Sequence, residues 1–269
     1  MTQSDSAFAG SIPALYDRYL GPLIFEPYAA DLAARLADLR EGPLLEIAAG
    51  TGIVTRALAR RLAAGIAIVA SDLNQAMLDF AASQGSARPV TWQQADAQAL
   101  PFADATFAAV ACQFGVMFFP DKVAAFAQAR RVLKPGGRLV FSVWGRLEDN
   151  EIPLAIHEAV AALFPGDPPG FLARAPYGHH DVAVITEQLR RAGFTDIAVE
   201  TVALRSRAPA PRDPAIGFCQ GSPLRNEIEA RGATAVAAAT DAAEAAVAAR
   251  FGRGPIEAGI KAHLVTAHR

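Results

Sequence analysis

The sequence predicts an α/β fold, a doubly wound, mostly parallel sheet of seven strands with an antiparallel last strand and helical insertions after strands five and six. Three observations predict it. Short β-branched apolar runs alternate with helical patterns between residues 44 and 144, the signature of successive βαβ units. A tight glycine turn, Ala49-Gly50-Thr51-Gly52, joins the first of these runs to the first helix. Near the end, residues 256 to 266 alternate apolar and polar side chains after an Ala-rich helix, as a half-buried strand should.

Taken in order, Leu44 to Ala48 reads as strand one and Val54 to Leu62 as its helix. Ile66 to Ser71 follows as strand two, Gln75 to Ser83 as a helix and Val90 to Gln94 as strand three. Phe107 to Gln113 is strand four. Asp121 to Val132 is a helix with Asp121 at its N-cap, and Arg138 to Trp144 is strand five. Between the last two, Lys134-Pro135-Gly136-Gly137 reads as a turn, because proline cannot continue a helix. Asp181 caps a helix that ends at Gly193, and Ile197 to Leu204 is strand six. Residues 208 to 214 read as a linker, Thr234 to Arg250 as a helix stopped by Gly252, Gly254 and Pro255, and residues 256 to 266 as strand seven.

Composition narrows the function classes. A chain of 269 residues, 52% of them apolar, buries a real core, and it reads as a single domain over residues 1–269. A formal charge of -2, with no run of like charge longer than an arginine pair, argues against a nucleic acid partner. Cys112 and Cys219 stand far apart with no CxxC or histidine cluster nearby, so neither a disulfide framework nor a metal site is expected. Residues 1 to 10 are polar and lack the regions of a signal peptide, and the longest nearly apolar run, residues 107 to 120, is shorter than the roughly 20 residues of a membrane span. A cytoplasmic location without integral membrane association is the expectation. The oligomeric state has no signature.

The chemistry lies at the strand ends. In a parallel sheet, ligands bind beyond the carboxyl ends of the strands, and glycine in the turn lets a ligand approach the backbone. Asp72 ends strand two, 20 residues after Gly52, where a carboxylate can accept from ribose hydroxyls. That spacing also suits a nicotinamide-dependent enzyme. A dinucleotide turn, however, wants a third glycine three residues after the second, and that position is Thr55. Asp96, after strand three, can accept from an adenine amino group.

The order EIAAGTG, ASDLNQAML, QQADAQALPFADATF, CQFGVMFF and RVLKPGGRLVFSVW resembles the class I S-adenosylmethionine-dependent methyltransferases, in particular the branch similar to quinone-biosynthesis (UbiE-like) enzymes. The resemblance implies a Rossmann-like methyltransferase fold with S-adenosyl-L-methionine as cofactor. It makes residues 41–145 the cofactor-binding core, residues 1–40 an N-terminal helical cover, and residues 146–192 and 209–254 helical insertions over a small-molecule acceptor. By the same resemblance Gly50 and Gly52 lie against the methionine moiety, with Glu46 beneath near its amino group. Asp72 takes the ribose, Leu73 packs on the adenine, and Asp96 with the Ala97 amide reads the adenine edge. Gln113 offers its carbonyl to the ligand's ammonium and its side chain to the acceptor, while Tyr16 and Tyr19 belong to the cover. Two departures stand out: Ala48 replaces the family's usual first glycine, which is tolerable if that residue keeps strand-like angles, and Ala108 stands where an Asp commonly follows the Phe.

No catalytic residue is fixed by the pattern. His179 and His180 are candidate proton acceptors near neutral pH, and Gln113 and Tyr16 are further candidates. The expected activity is methyl transfer by in-line displacement to a small, partly apolar molecule. The competing expectations are a catalytically silent S-adenosylmethionine-binding protein and, less favoured because of Thr55, an NAD(P)-dependent oxidoreductase.

Overall fold

In the computed structural model, which describes residues 10–269, the alternating runs form the elements that their spacing predicts. Helix α1 (Glu26–Arg35) precedes β1 (Leu44–Ile47). Then follow α2 (Ile53–Arg61), β2 (Ile68–Asp72), α3 (Gln75–Ser83), β3 (Thr91–Gln94), β4 (Phe107–Gln113), α4 (Lys122–Val132) and β5 (Leu133–Trp144). The remainder comprises α5 (Glu151–Leu163), α6 (Val182–Arg191), β6 (Thr195–Ala208), α7 (Arg212–Gln220), α8 (Ala235–Phe251) and β7 (Ile256–His268), with shorter helical turns between. The polar start of the chain, residues 1–9, lies outside the described residues.

The seven strands are ordered β3-β2-β1-β4-β5-β7-β6. β3, β2, β1, β4 and β5 run parallel, and β7 runs antiparallel to its neighbours β5 and β6. The chain reverses its winding direction at β1 and β4, so their carboxyl ends form the crevice of a doubly wound sheet. All four residues of β1 are buried, which is why it reads as a continuous apolar run apart from Glu46.

By compactness the chain divides into two units. One comprises residues 28–143, 179–202 and 262–269; the described part of the other comprises residues 10–27, 144–178 and 203–261. In the first, Leu45, Ile68, Val110 and Phe141 are fully buried, and the Phe126 and Phe141 rings lie 5.3 Å apart where α4 covers the sheet. Asp121 starts α4 by accepting from the Ala124 amide at 2.9 Å, and Asp181 starts α6 by accepting from the Ala183 amide at 2.8 Å. In the second unit, α8 packs on α5 and α7 through Ala239, Ala243 and Val247, whose small side chains let the helices approach closely. The same unit contains a row of aromatic rings: Tyr16 stacks on Phe25 at 4.7 Å, Phe25 lies 6.2 Å from Trp144, and Trp144 lies 5.8 Å from Tyr177. Tyr16–Phe25 is wound as a π-helix, with the Glu26 amide donating to the carbonyl of Gly21.

The largest departures from the sequence reading concern three segments. Strand β5 begins at Leu133 rather than Arg138: Leu133 pairs with Phe107 and Arg138 with Ala109, so the Lys134–Gly137 turn is a bulge inside the strand. Residues 208 to 214 are not all linker, because α7 starts at Arg212 and β6 runs to Ala208. β6 extends past both of its sequence-read ends, beyond what its own alternation announces.

Candidate functional site

The crevice is built by the turn that leaves β1. The Ala49 amide donates to the carbonyl of Ser71 at 2.9 Å, which ties the start of the turn to the end of β2. Gly50 and Gly52 then adopt φ of +56° and +79°, values that a side chain disfavours. A Cβ on Gly50 would meet nothing within 4 Å, so this residue faces open space, whereas one on Gly52 would come within 3.0 Å of Ala81 and 3.2 Å of Trp92.

The carboxylate of Asp72 fastens this turn. Its Oδ2 accepts from the Gly50 amide at 2.8 Å and its Oδ1 from the Asn74 amide at 2.8 Å. Burial raises the Asp72 pKa above the usual carboxylate value, against the lowering effect of those amides. Leu73, the next residue, is 55% exposed, an unusual degree for a large apolar side chain beside a buried acid. On the following loop Asp96 accepts from the Gln98 amide at 2.8 Å beside the buried Ala97, and the Gln98 side chain in turn accepts from the Asp121 amide at 2.8 Å. The ends of β1, β2 and β3 therefore present two acids, an apolar side chain and an open glycine along one edge.

Beneath the turn lies Glu46, 2% exposed, whose Oε2 accepts from the Thr55 hydroxyl at 2.6 Å. Burial pushes its pKa up to about 8; the Thr55 hydrogen bond opposes this and the nearby Asp72 charge adds to it. The Thr51 hydroxyl, in the turn itself, is buried without a hydrogen-bond partner among the described residues. The Thr51 hydroxyl and the similarly buried and unpartnered Ser142 hydroxyl on β5 escape sequence reasoning, because only the fold reveals that they are dry.

Ala48 overturns the expectation of strand-like angles. Its φ is +53°, left-handed, a conformation that costs a residue with a Cβ about 1–2 kcal/mol. Phe114, just past β4, has φ of +52° and is held by its amide donating to Ser142 at 3.0 Å and by an edge-on contact with Tyr28 at 5.4 Å. Its neighbour Gly115 lies so close to Ala48 that an added Cβ would sit 2.5 Å from the Ala48 methyl. Two strained turns, after β1 and β4, thus meet at the crevice, next to the half-buried Gln113.

Of the catalytic candidates, Gln113, His179 and His180 belong to the first unit and Tyr16 to the second. His179 is driven down to about 4 by burial and by the Lys122 and His180 charges, which leaves it neutral and a weak base near pH 7. Tyr16 and Tyr19 belong to the second unit, Tyr16 in the aromatic row and Tyr19 with the Arg18 guanidinium 5.2 Å over its ring. His180 adjoins the Asp181 cap. Burial pushes the Cys112 thiol up to about 12, which leaves it inert, and no cluster able to hold a metal ion exists among the described residues.

Comparison with known proteins decides the family. A family model described as "Methyltransferase domain" matches residues 45–141. The ubiquinone/menaquinone biosynthesis C-methyltransferase UbiE of Teredinibacter turnerae is 32% identical over 173 residues, covering 59% of this chain and 70% of that enzyme. The chain belongs to the S-adenosylmethionine-dependent methyltransferase family. Its similarity to the enzyme of the same description from Saccharophagus degradans is higher, 42%, but spans 110 residues, 39% of this chain and only 44% of that protein's length. Among solved structures, phosphoethanolamine N-methyltransferase 2 of Haemonchus contortus in complex with S-adenosyl-L-methionine superposes with a TM-score of 0.62 at 17% identity, over 100% of this chain and 60% of that one. At that identity the likeness establishes the shared fold. No helix among the described residues is long and apolar enough to cross a membrane.

Proposed function

We propose that this chain transfers a methyl group from S-adenosylmethionine to a small, partly apolar acceptor. The observation that carries the reading is the grip of the Asp72 carboxylate on the Gly50 amide, which puts a nucleoside-binding acid and an open glycine turn side by side at one strand edge. The residues present fit the cofactor. Gly50 leaves room for its methionine moiety, the unpartnered Thr51 hydroxyl and the Glu46 carboxyl supply polar groups there, and Asp72, exposed Leu73 and Asp96 with Ala97 suit ribose and adenine. Against a dinucleotide, Thr55 occupies the third-glycine position and spends its hydroxyl on Glu46.

The cofactor supplies an electrophilic methyl on a cationic sulfur, displaced in line by the acceptor. The chain's part is to orient and exclude water. Asp72, braced by two backbone amides, holds its ligand without rearranging, and Glu46 provides a buried carboxyl whose ionised form suits a neighbouring cation. Gln113 stands at the carboxyl end of β4 to position the acceptor. The relatives, C-methyltransferases of ubiquinone and menaquinone biosynthesis, support an aromatic acceptor of the quinol type. Residues 146–192 and 209–254 are proposed as the acceptor-selecting part.

Incubation with methyl-labelled S-adenosylmethionine and a set of quinol and other small hydroxylated aromatic acceptors tests this. Label is expected in an organic-extractable aromatic product. Absence of transfer to any of these acceptors, with the cofactor bound, would favour a silent binding protein.

A further inference from the structure

We propose that the amino edge of the sheet, at the opposite end of β1 and β4 from the glycine turn, carries a second ligand site for a small oxyanion, a phosphate or carboxylate group. An open cavity of about 270 Å³ lies there, between the chain entering β1, the start of β4 at Ala108 and the bulge of β5. Its free polar groups are mainly cationic. Among the described residues the half-buried Lys134 makes no hydrogen bond or ion pair, and the one hydrogen bond of the exposed Arg40 is a donation to the carbonyl of Ala37 at 3.3 Å. The other lining guanidinium is already matched, Arg138 being held by both oxygens of Asp38, and the His268 Nδ1 lies 3.2 Å from Asp196. One lining carboxylate, Glu41, is outside any ion pair among the described residues, and it is exposed. Setting Lys134 and Arg40 against Glu41 leaves one positive charge in excess.

The surroundings of Lys134 explain why this charge is available. A Cβ built on Gly42 would sit 3.3 Å from the Lys134 ammonium and 2.9 Å from the Ala108 methyl. The ammonium therefore lies beside the bare Gly42 backbone, with no hydrogen bond to it among the described residues. A half-buried cation so placed has lost part of its hydration without gaining a partner, and an oxyanion entering the cavity restores charge-assisted hydrogen bonds. Being a point charge on a flexible stem, lysine does not select among oxyanion shapes, so phosphate and carboxylate share the proposal. The site uses no residue of the cofactor crevice, and it stands whether or not methyl transfer does.

The test titrates sodium phosphate and, separately, sodium acetate at constant ionic strength into the full chain, Lys134→Met and Ala108→Asp, and follows the melting temperature. Lys134→Met removes the cation, and Ala108→Asp places a tethered carboxylate in the cavity. A rise of about 3 °C at ten times the dissociation constant, growing with the logarithm of anion concentration, is expected in the unaltered chain and in neither variant. A response to phosphate alone, to acetate alone or to both assigns the anion class. Equal rises in all three proteins, or none in the unaltered chain, would overturn the site. S-adenosylhomocysteine binding, measured in parallel, is expected unchanged in both variants, which separates a lost anion site from a misfolded variant. Should Ala108→Asp fail to fold, Lys134→Met decides alone.

Discussion

Asp72 holds the turn and, on the proposed function, the ligand with one carboxylate, and this makes its loss costly in two readouts. In Asp72→Ala the Gly50 and Asn74 amides lose their acceptor, and hydrogen bonds to a charged group are worth roughly 1.5–3 kcal/mol. We therefore expect S-adenosylhomocysteine affinity to fall about tenfold to a hundredfold by calorimetry, together with a lower melting temperature. An unchanged dissociation constant in a folded variant would remove Asp72 from the site. Glu46 makes a separate prediction in pH. Its carboxyl is raised from 4.5 to about 8, so the folded state holds this proton more tightly than the unfolded chain does. Stability from this group is complete below about pH 4.5 and is lost as pH rises through about 8. Thr55, Arg56, Asp72 and Cys112 surround it, and the raised Asp72 acts in the same sense in any variant that keeps it. Glu46→Gln, which can still bond Thr55, should accordingly show a smaller loss of stability between pH 5 and 8 than the unaltered chain. Parallel pH profiles would show that Glu46 is ionised throughout.

At the scale of elements, the contact between the turns after β1 and β4 is the feature most sensitive to a single atom. Gly115→Ala would force a methyl to within 2.5 Å of Ala48 and 2.8 Å of the Cys112 sulfur, and overpacking of this kind typically costs about 1–3 kcal/mol. Chemical denaturation should give a lower midpoint at unchanged slope; an unaltered midpoint would mean that the two turns part easily. How much of this was legible in the sequence follows from what each signal depends on. β4 and α3 fall on their sequence-read residues, because turn residues and periodicity bound them locally. Asp121 and Asp181 cap as read, since capping is decided within one turn. Gly50, Gly52 and Asp72 were legible as a strand-edge group, although nothing local announces that the acid bonds the turn. The bulge at Lys134–Gly137 and the long β6 were not legible, because strand pairing, not local propensity, sets them. Nor were the left-handed Ala48 and Phe114, the dry Thr51 and Ser142 hydroxyls, or the weak basicity of His179, all of which arise from neighbours distant in sequence.

Over the whole molecule, the family match and the cofactor crevice coincide: residues 45–141 match the family model and contain every strand-edge residue assigned to the ligand from Glu46 to Gln113. The insertions proposed to select the acceptor, residues 146–192 and 209–254, fall outside that match, so substitutions there should change which acceptor is methylated while leaving cofactor affinity alone. The central claim is therefore the identity of the nucleoside ligand, and it turns on one position. A dinucleotide needs a close helix approach at the third glycine, and Thr55 there is locked to a buried acid. Isothermal titration calorimetry of the full chain with S-adenosylhomocysteine and, separately, with NADH tests this most directly. The account predicts one saturable site for S-adenosylhomocysteine and no heat of binding with NADH. Tight NADH binding with no response to S-adenosylhomocysteine would contradict it.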